Sequence, residues 1–295
     1  MLHSRSDKRF RITANVILIL LCVATILPFL ILISSSVSNE NDVVANGYPI
    51  IPRTIDWAAY RYVFSTSGQL IQAYGVTVLV TLIGTVASLS ITLMFAFALA
   101  QDNMPGVKIM MILVVITMLF NGGLVPTYYV YTQIFHIKDT LPALIVPGLL
   151  MSAFNLILVR NYFRNSIPPA LMEAARIDGC SKFVGFVKII LPLSKPIIAT
   201  IGLMTALGYW NDWGNGLYYI TSTKYQSVQQ VLRLMINSSS YMKQMGINSG
   251  VEAADIPLNT IRMAIAIVAV LPIMIAYPFF QSYFVKGITI GAVKE

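Results

Sequence analysis

Residues able to perform chemistry are sparse in this 295-residue chain. The two histidines are His3, in a basic N-terminal segment, and His136, in a short polar stretch. Neither a Ser-His dyad nor a histidine-rich metal centre can be assembled from them. The cysteines offer no disulfide framework, because Cys22 sits in an apolar run and Cys180 in a basic stretch. No G-x-x-x-x-G-K-[ST] occurs, so the chain lacks the backbone cradle that holds a triphosphate. Charges and turn residues occur together in Pro168-Pro169-Ala170-Leu171-Met172-Glu173-Ala174-Ala175-Arg176-Ile177-Asp178-Gly179. That pattern suits gripping more than catalysis.

Pro168 and Pro169 suit the first turn of a helix, Ser166 is a plausible cap, and Gly179 is placed to end it after about three turns. Leu171, Ala174, Ala175 and Asp178 fall at i, i+3, i+4 and i+7, so one stripe is small and apolar. Glu173, Arg176 and Asp178 put charge beside it. Two readings follow: a helix held by another protein, or an amphipathic helix resting on lipid.

The surrounding elements are apolar. The composition is 57% apolar and 11% charged, with a mean hydropathy of +0.74, whereas soluble domains carry about 25% charged residues. Six runs nearly free of charge stand out: Ala14 to Ser34, Gly75 to Ala100, Ile109 to Ile134, Leu141 to Val159, Pro196 to Ile220 and Met263 to Phe284. Each is long enough to cross about 30 Å of hydrocarbon at 1.5 Å per residue. The chain therefore reads as an all-α integral membrane protein with six transmembrane helices.

Charge asymmetry orients them. With both termini inside, the N-tail (1–13), Lys108, the loop 160–195 and the C-tail (285–295) carry thirteen Lys and Arg, against seven in the segments outside. Both termini are thus predicted cytoplasmic, and the net charge of +8 reflects topology, not a nucleic-acid partner. The first run exceeds a signal-peptide core and lacks a clear cleavage site, so it is expected to stay as a helix. Three connections are long: external 35–74, internal 160–195 and external 221–262, the last with a helix-compatible pattern at Val228, Val231, Leu232, Leu234 and Met235.

Glu173-Ala174-Ala175, three residues, Gly179, nine residues, Ile189, one residue, Leu191-Pro192 resembles the E-A-A-x3-G-x9-I-x-L-P signature, the EAA motif, of permease subunits in binding-protein-dependent ABC importers. Asn121-Gly122-Gly123-Leu124-Val125-Pro126-Thr127-Tyr128, Trp210-Asn211-Asp212-Trp213 and the tail Tyr283 to Lys294 are similar to the carbohydrate-uptake branch, and best to the second, six-span subunit of maltose-type and oligosaccharide systems. The resemblance implies a type I ABC importer permease fold, with residues 75–284 as its core, in a bacterial cytoplasmic membrane. It implies a non-catalytic sugar-import subunit that binds no cofactor, with ATP and Mg on the partner ATPase. Its partners would be a second, related permease in a heterodimer, two ATPase subunits, an extracytoplasmic solute-binding protein and membrane lipid.

In that family the signature forms a coupling helix that docks into the ATPase. Carried over, Glu173, Ala174, Ala175, Asp178, Gly179, Ile189, Leu191 and Pro192 would be the coupling residues, and Phe183, Phe186, Val187 and Ile190 would pack the following helix. The loop 221–262 would meet the delivery protein or form a folded cap. The tail, not expected to form a rigid helix with Gly287 and Gly291, would reach the ATPases with Lys294 or touch anionic lipid.

Within the runs, Asp212 is the one acid, expected near the outer interface among Trp210, Trp213, Tyr218 and Tyr219 in a structural, gating or substrate-contacting role. Asn121, Tyr128, Tyr131, Ser152, Asn155 and Asn211 could line a sugar path or serve as helix contacts. Other classes fit less well. A membrane enzyme is left only a Ser-Lys arrangement, and an ion-coupled secondary transporter would show repeats and more intramembrane ionisable groups. A permease of the same kind for a solute other than sugar is the alternative.

Overall fold

The computed structural model describes residues 5–65, 67–101, 104–237 and 258–292. Among these the architecture is all-helical, with one isolated antiparallel bridge between Ser38 and Ile55. In chain order come α1 (Arg5–Ser36), α2 (Glu40–Asn46), α3 (Ala58–Ser65), α4 (Ser67–Ala100), α5 (Val107–Leu119) and α6 (Leu124–Tyr129), which runs on as a π-helix over Val130–Ile134. Then follow α7 (Pro142–Ile145), α8 (Ala153–Ser166), α9 (Pro169–Ile177), α10 (Lys182–Gly185), a π-helix over Phe186–Ile190, α11 (Leu191–Leu193), α12 (Lys195–Trp210) and α13 (Gly214–Tyr219). A 3-10 turn (Thr223–Tyr225) and α14 (residues 228–237) lead to α15 (Leu258–Ala292).

Among the described residues three helices are long and apolar enough to cross a membrane, over Phe10–Ser36, Gly68–Ala100 and Leu258–Ile275, and the number is five if each of two bent pairs is one span. The remaining runs are interrupted where their sequences carry helix breakers. The run 109–134 breaks at Asn121-Gly122-Gly123, with Gly123 at φ +83°, and α5 meets the α6 segment at 113°. The expected continuous crossing over 141–159 is not formed. Pro147 and Gly148 (φ +71°) interrupt it, and a regular helix begins only at Ala153. The run 196–220 is likewise divided at Asn211-Asp212-Trp213. Irregular backbone at membrane depth persists only where protein or a polar cavity satisfies it. The tail also departs from expectation: α15 continues through Gly287 and Gly291 to Ala292. Helix propagation from a long apolar segment is cooperative and overrides the roughly 1 kcal/mol cost of each glycine. Lys294 lies outside the described residues.

The chain forms two compact units, one of residues 1–70 with 232–272 and one of 71–231 with 273–295. In the first, α1 buries none of its apolar span. The segment after it folds back on itself: Asp56 N donates to Val37 O at 2.8 Å, Asn39 N donates to Thr54 O at 3.2 Å, and Asn39 Nδ2 reaches Asp56 Oδ2 at 3.1 Å. Asn39 caps α2 through the N–H of Asn41. Glu40 then holds the start of α15, accepting from Asn259 N (3.0 Å), Asn259 Nδ2 (2.9 Å), Thr260 N (2.9 Å) and Thr260 Oγ1 (3.0 Å).

The second unit has two buried clusters. One joins Leu93, Ala96 and Leu99 of α4 to Val114 of α5, to Leu156, Val159 and Phe163 of α8, and to Ile167, Phe186, Ile190 and Ile201. The other gathers Val80, Ala143, Leu144, Tyr209, Tyr219 and Ile220. Lipid tails are as apolar as leucine, so within a bilayer such clusters are held by close packing and by small residues at crossings. At Gly84 the requirement is explicit, because a Cβ there would stand 2.5 Å from the Tyr209 ring. The Tyr209 hydroxyl donates to Ile145 O at 2.9 Å, which satisfies its polar tip and ties α12 to α7.

Candidate functional site

The loop between α8 and α12 carries the signature singled out in the sequence, and its local fold follows from its residues. Arg164 and Ser166 close α8. Ser166 is therefore the last residue of the preceding helix and not the cap of α9, as the sequence suggested. Ile167, extended and buried, precedes Pro168, as the clash between a proline ring and the residue before it demands. Pro168 occupies the N-cap in extended geometry, and Pro169 opens α9, where its missing N–H is no loss. At the other end Gly179 N donates to Arg176 O and Cys180 N to Ala175 O. This Schellman closure needs the left-handed backbone that Gly179 supplies at φ +80°.

Helix α9 is fastened along one edge. Met172 packs with the buried cluster and lies so close to Gly185 that a Cβ there would meet its Cε at 2.9 Å. Arg176 donates from Nη2 to Gln101 Oε1, 3.2 Å away, just beyond the end of α4. Beyond this edge the helix faces outward: Leu171, Glu173, Ala174 and Asp178 are exposed, Ala175 is half-buried, and Ile177 is 87% exposed.

After Gly179, Ser181 caps α10 through the N–H of Val184 at 3.3 Å. Phe186 and Ile190 are buried, but Phe183 is 64% exposed and Val187 is also exposed. The expected four-residue packing face is thus halved. The buried positions Phe186, Ile190 and Ser194 stand four residues apart, and a π-helix covers Phe186–Ile190. Ile189 and Leu191 are half-buried and Pro192 is exposed. Buried Ser194 donates its hydroxyl back to Ile190 O at 2.7 Å, at the point where the segment Lys182–Leu193 turns 82° into α12.

A second set of polar residues gathers around α13. Asp212 Oδ1 accepts from Gly214 N (3.1 Å) and Asn215 N (3.3 Å), which starts α13, and Asn215 Nδ2 reaches Pro147 O at 2.9 Å. Tyr128 stacks on Tyr219 with ring centroids 5.8 Å apart, and Tyr131 meets Tyr219 edge-on at 6.0 Å. The other candidates have local settings. Asn121 Oδ1 accepts from Gly123 N at the α5–α6 break, Ser152 caps α8 through Asn155 N, Asn155 is half-buried, and Asn211 is the exposed C-cap of α12. Nearby, Asp139 at φ +56° accepts from Thr221 N (2.6 Å), Thr221 Oγ1 (2.5 Å) and Ser222 N (2.8 Å). The Thr221 hydroxyl, then the Ser222 amide, hold its carboxyl below the usual carboxylate range.

Sequence reasoning missed Tyr219 as the centre of the aromatic group, Asn215, Asp139 and Glu40. Their partners are remote in the chain, so no local pattern announces them.

Residues 86–290 match the family described as binding-protein-dependent transport system inner membrane component, and the chain belongs to it. It is accordingly a multi-pass inner-membrane transport permease and not an enzyme. Protein LplC of Bacillus subtilis (strain 168) is 40% identical over 270 residues, covering 92% of this chain and 90% of LplC. The polygalacturonan/rhamnogalacturonan transport system permease protein YtcP of the same organism is 39% identical over 281 residues, covering 94% and 95% of the two chains. A bacterial ABC transporter involved in the import of the acidic polysaccharide alginate has a chain that superposes with a TM-score of 0.77 at 28% identity, covering 96% of this chain and 99% of that one.

Proposed function

We propose that this chain is the six-span permease subunit of an ABC importer for a sugar, an oligosaccharide in particular, with both termini in the cytoplasm. It pairs with a second, related permease. Of two ATPase subunits, which carry ATP and Mg, one docks on α9, and an extracytoplasmic binding protein delivers the sugar from the other side.

The observation that carries this reading is the outward face of α9, where Leu171, Ala174 and Ile177 stand exposed while Met172, packed against the core, fastens the helix behind them. A chain with no nucleotide cradle of its own must receive work mechanically, and a surface helix fixed to the buried cluster can transmit it. Carbohydrate is supported by the names of the relatives, which include permeases for polygalacturonan/rhamnogalacturonan and for arabinooligosaccharides. The tyrosine group and the broken helices near it suit a polar solute.

The test has two arms. Single cysteines at Leu171 or Ile177 should crosslink to an ATPase subunit in inverted vesicles, and Glu173→Lys should abolish uptake while the subunit still inserts. Transport that persists with a hydrolysis-dead ATPase would end the ABC reading. A binding protein that captures a peptide and no oligosaccharide would end the sugar reading alone.

A further inference from the structure

Helix α4 differs from its neighbours in being whole. Between residues 67 and 237 it is, among the described residues, the one unbroken helix long and apolar enough to cross a membrane, whereas 107–134 and 182–210 qualify only as pairs bent by 113° and 82°. At 34 residues and 1.5 Å per residue it is about 50 Å long. A bent pair can absorb a push at its break; a continuous helix passes it on.

The C-terminal end of α4 is held by two arginines from different elements. The last four carbonyls of a helix have no partners within it. Gln101 N takes Ala98 O at 3.2 Å, and Arg160 of α8, half-buried, donates from Nε to Leu99 O at 3.1 Å. Its cation thereby stands at the negative end of the helix dipole. Asn161 Oδ1 accepts from Nη1 of the same guanidinium at 3.3 Å. Just beyond, Arg176 of α9 donates from Nη2 to Gln101 Oε1 at 3.2 Å. Packing reinforces both bonds, since the Phe97 and Phe186 rings lie 4.8 Å apart, and Leu99, Phe163 and Ile190 share one buried cluster.

The opposite part of the same helix is bonded too. Gln72 Nε2 donates to Lys224 O at 3.0 Å, and Thr77 Oγ1 accepts from Val228 N at 2.8 Å. All these residues belong to one compact unit.

We propose that Arg160 and Arg176 are positioning residues that latch the end of α4 to α8 and α9, so that α4 moves with α9 and carries its displacement to the far end of the helix. The inference rests on the importer reading, in which an ATPase subunit grips α9.

The test uses the whole transporter, both permeases with both ATPases, in lipid nanodiscs, and the purified solute-binding protein as the probe. Coupling between two binding events is reciprocal, so the readout is the factor by which a non-hydrolysable ATP analogue changes the half-saturating concentration of the probe. Gln101→Ala leaves α9 untouched and removes one exposed acceptor; it should shrink that factor about threefold, the worth of one ordinary hydrogen bond. Arg160→Ala removes a half-buried charged donor and should shrink it about tenfold. Probe affinity without nucleotide should stay at the wild-type value in both. Gln101→Glu makes the bond to Arg176 charge-assisted and should match or exceed wild type. Arg160→Lys keeps a cation at the end of α4 and should recover most of what Arg160→Ala loses. If Arg160→Ala does not assemble, the two Gln101 variants decide.

A wild-type factor in the alanine variants would overturn the latch and leave the importer reading standing, as would an equal loss of probe affinity without nucleotide, or a Gln101→Glu variant as impaired as Gln101→Ala. A wild-type transporter that does not bind the probe in either state would overturn the importer reading, and this inference with it.

Discussion

Substitution of Gly179 isolates backbone geometry from packing. The residue sits at φ +80°, and a Cβ placed on it would meet nothing within 4 Å. Any effect must therefore come from conformation, since there is no contact to lose and no clash to make. A Cβ in the left-handed region costs about 1–2 kcal/mol, and asparagine tolerates the region best among the remaining types. A penalty of that size shifts a two-state balance about 5- to 30-fold, against the closed Schellman end and toward a loop that no longer presents α9 in register. Gly179→Asn should therefore retain most uptake, Gly179→Ala should lose several-fold, and Gly179→Val should lose most. The assay is initial uptake in vesicles matched for inserted permease, read beside ATPase crosslinking to a cysteine on α9. A valine variant as active as wild type, or an asparagine variant as impaired as valine, would refute the backbone argument.

Ile177→Glu should abolish co-purification of the ATPase subunits. The same change should leave the stability of the permease within about 0.5 kcal/mol, as expected of a surface site, which thermal unfolding in detergent would check. Gly84→Ala should lower the melting temperature of the purified complex, because its new Cβ meets the Tyr209 ring at 2.5 Å and overpacking costs about 1–3 kcal/mol. Adding Tyr209→Phe should give no relief, because the clash is with ring carbons, whereas a smaller residue at Tyr209 should relieve it. Asp139 titrates below the usual carboxylate range, chiefly through the Thr221 hydroxyl and then the Ser222 amide, with Lys138 adding to the effect. A depressed folded value means that its stabilisation is fully present above the ordinary carboxylate pKa and is lost as pH falls from there through the folded value. The stability difference between wild type and Asp139→Ala should thus be flat near neutrality and shrink only in acid, which pH-dependent melting would test.

Legibility in the sequence divided along physical lines. The long runs declared α1, α4 and α15, because twenty or more apolar residues without charge have few other fates. The same arithmetic concealed the breaks, since a window average barely registers Asn121-Gly122-Gly123, Pro147-Gly148 or Asn211-Asp212 inside an apolar stretch. Helix α9 was readable because two prolines and a glycine bracket it. Ser166 misled because a serine before a proline pair looks like a cap whether or not the preceding helix has already claimed it. Phe183 and Val187 misled because apolar type alone does not tell which positions a helix turns toward its neighbours, and here only Phe186 and Ile190 are buried. The aromatic group on Tyr219 and the two carboxylate clamps stayed hidden, since tertiary folding alone brings Asp139 to Thr221 and Glu40 to Asn259.

The Glu40 contact has a consequence for biogenesis. The carboxylate is made 219 residues before Asn259, its first partner, so at about 5–20 residues per second the ribosome needs roughly 10–40 s to supply the other half of the clamp. During that lag the first unit cannot close, whatever the insertion machinery has already placed in the bilayer. Truncation anywhere before the last helix leaves Glu40 without these partners, and quality-control proteases would meet an N-terminal region still waiting for its final piece.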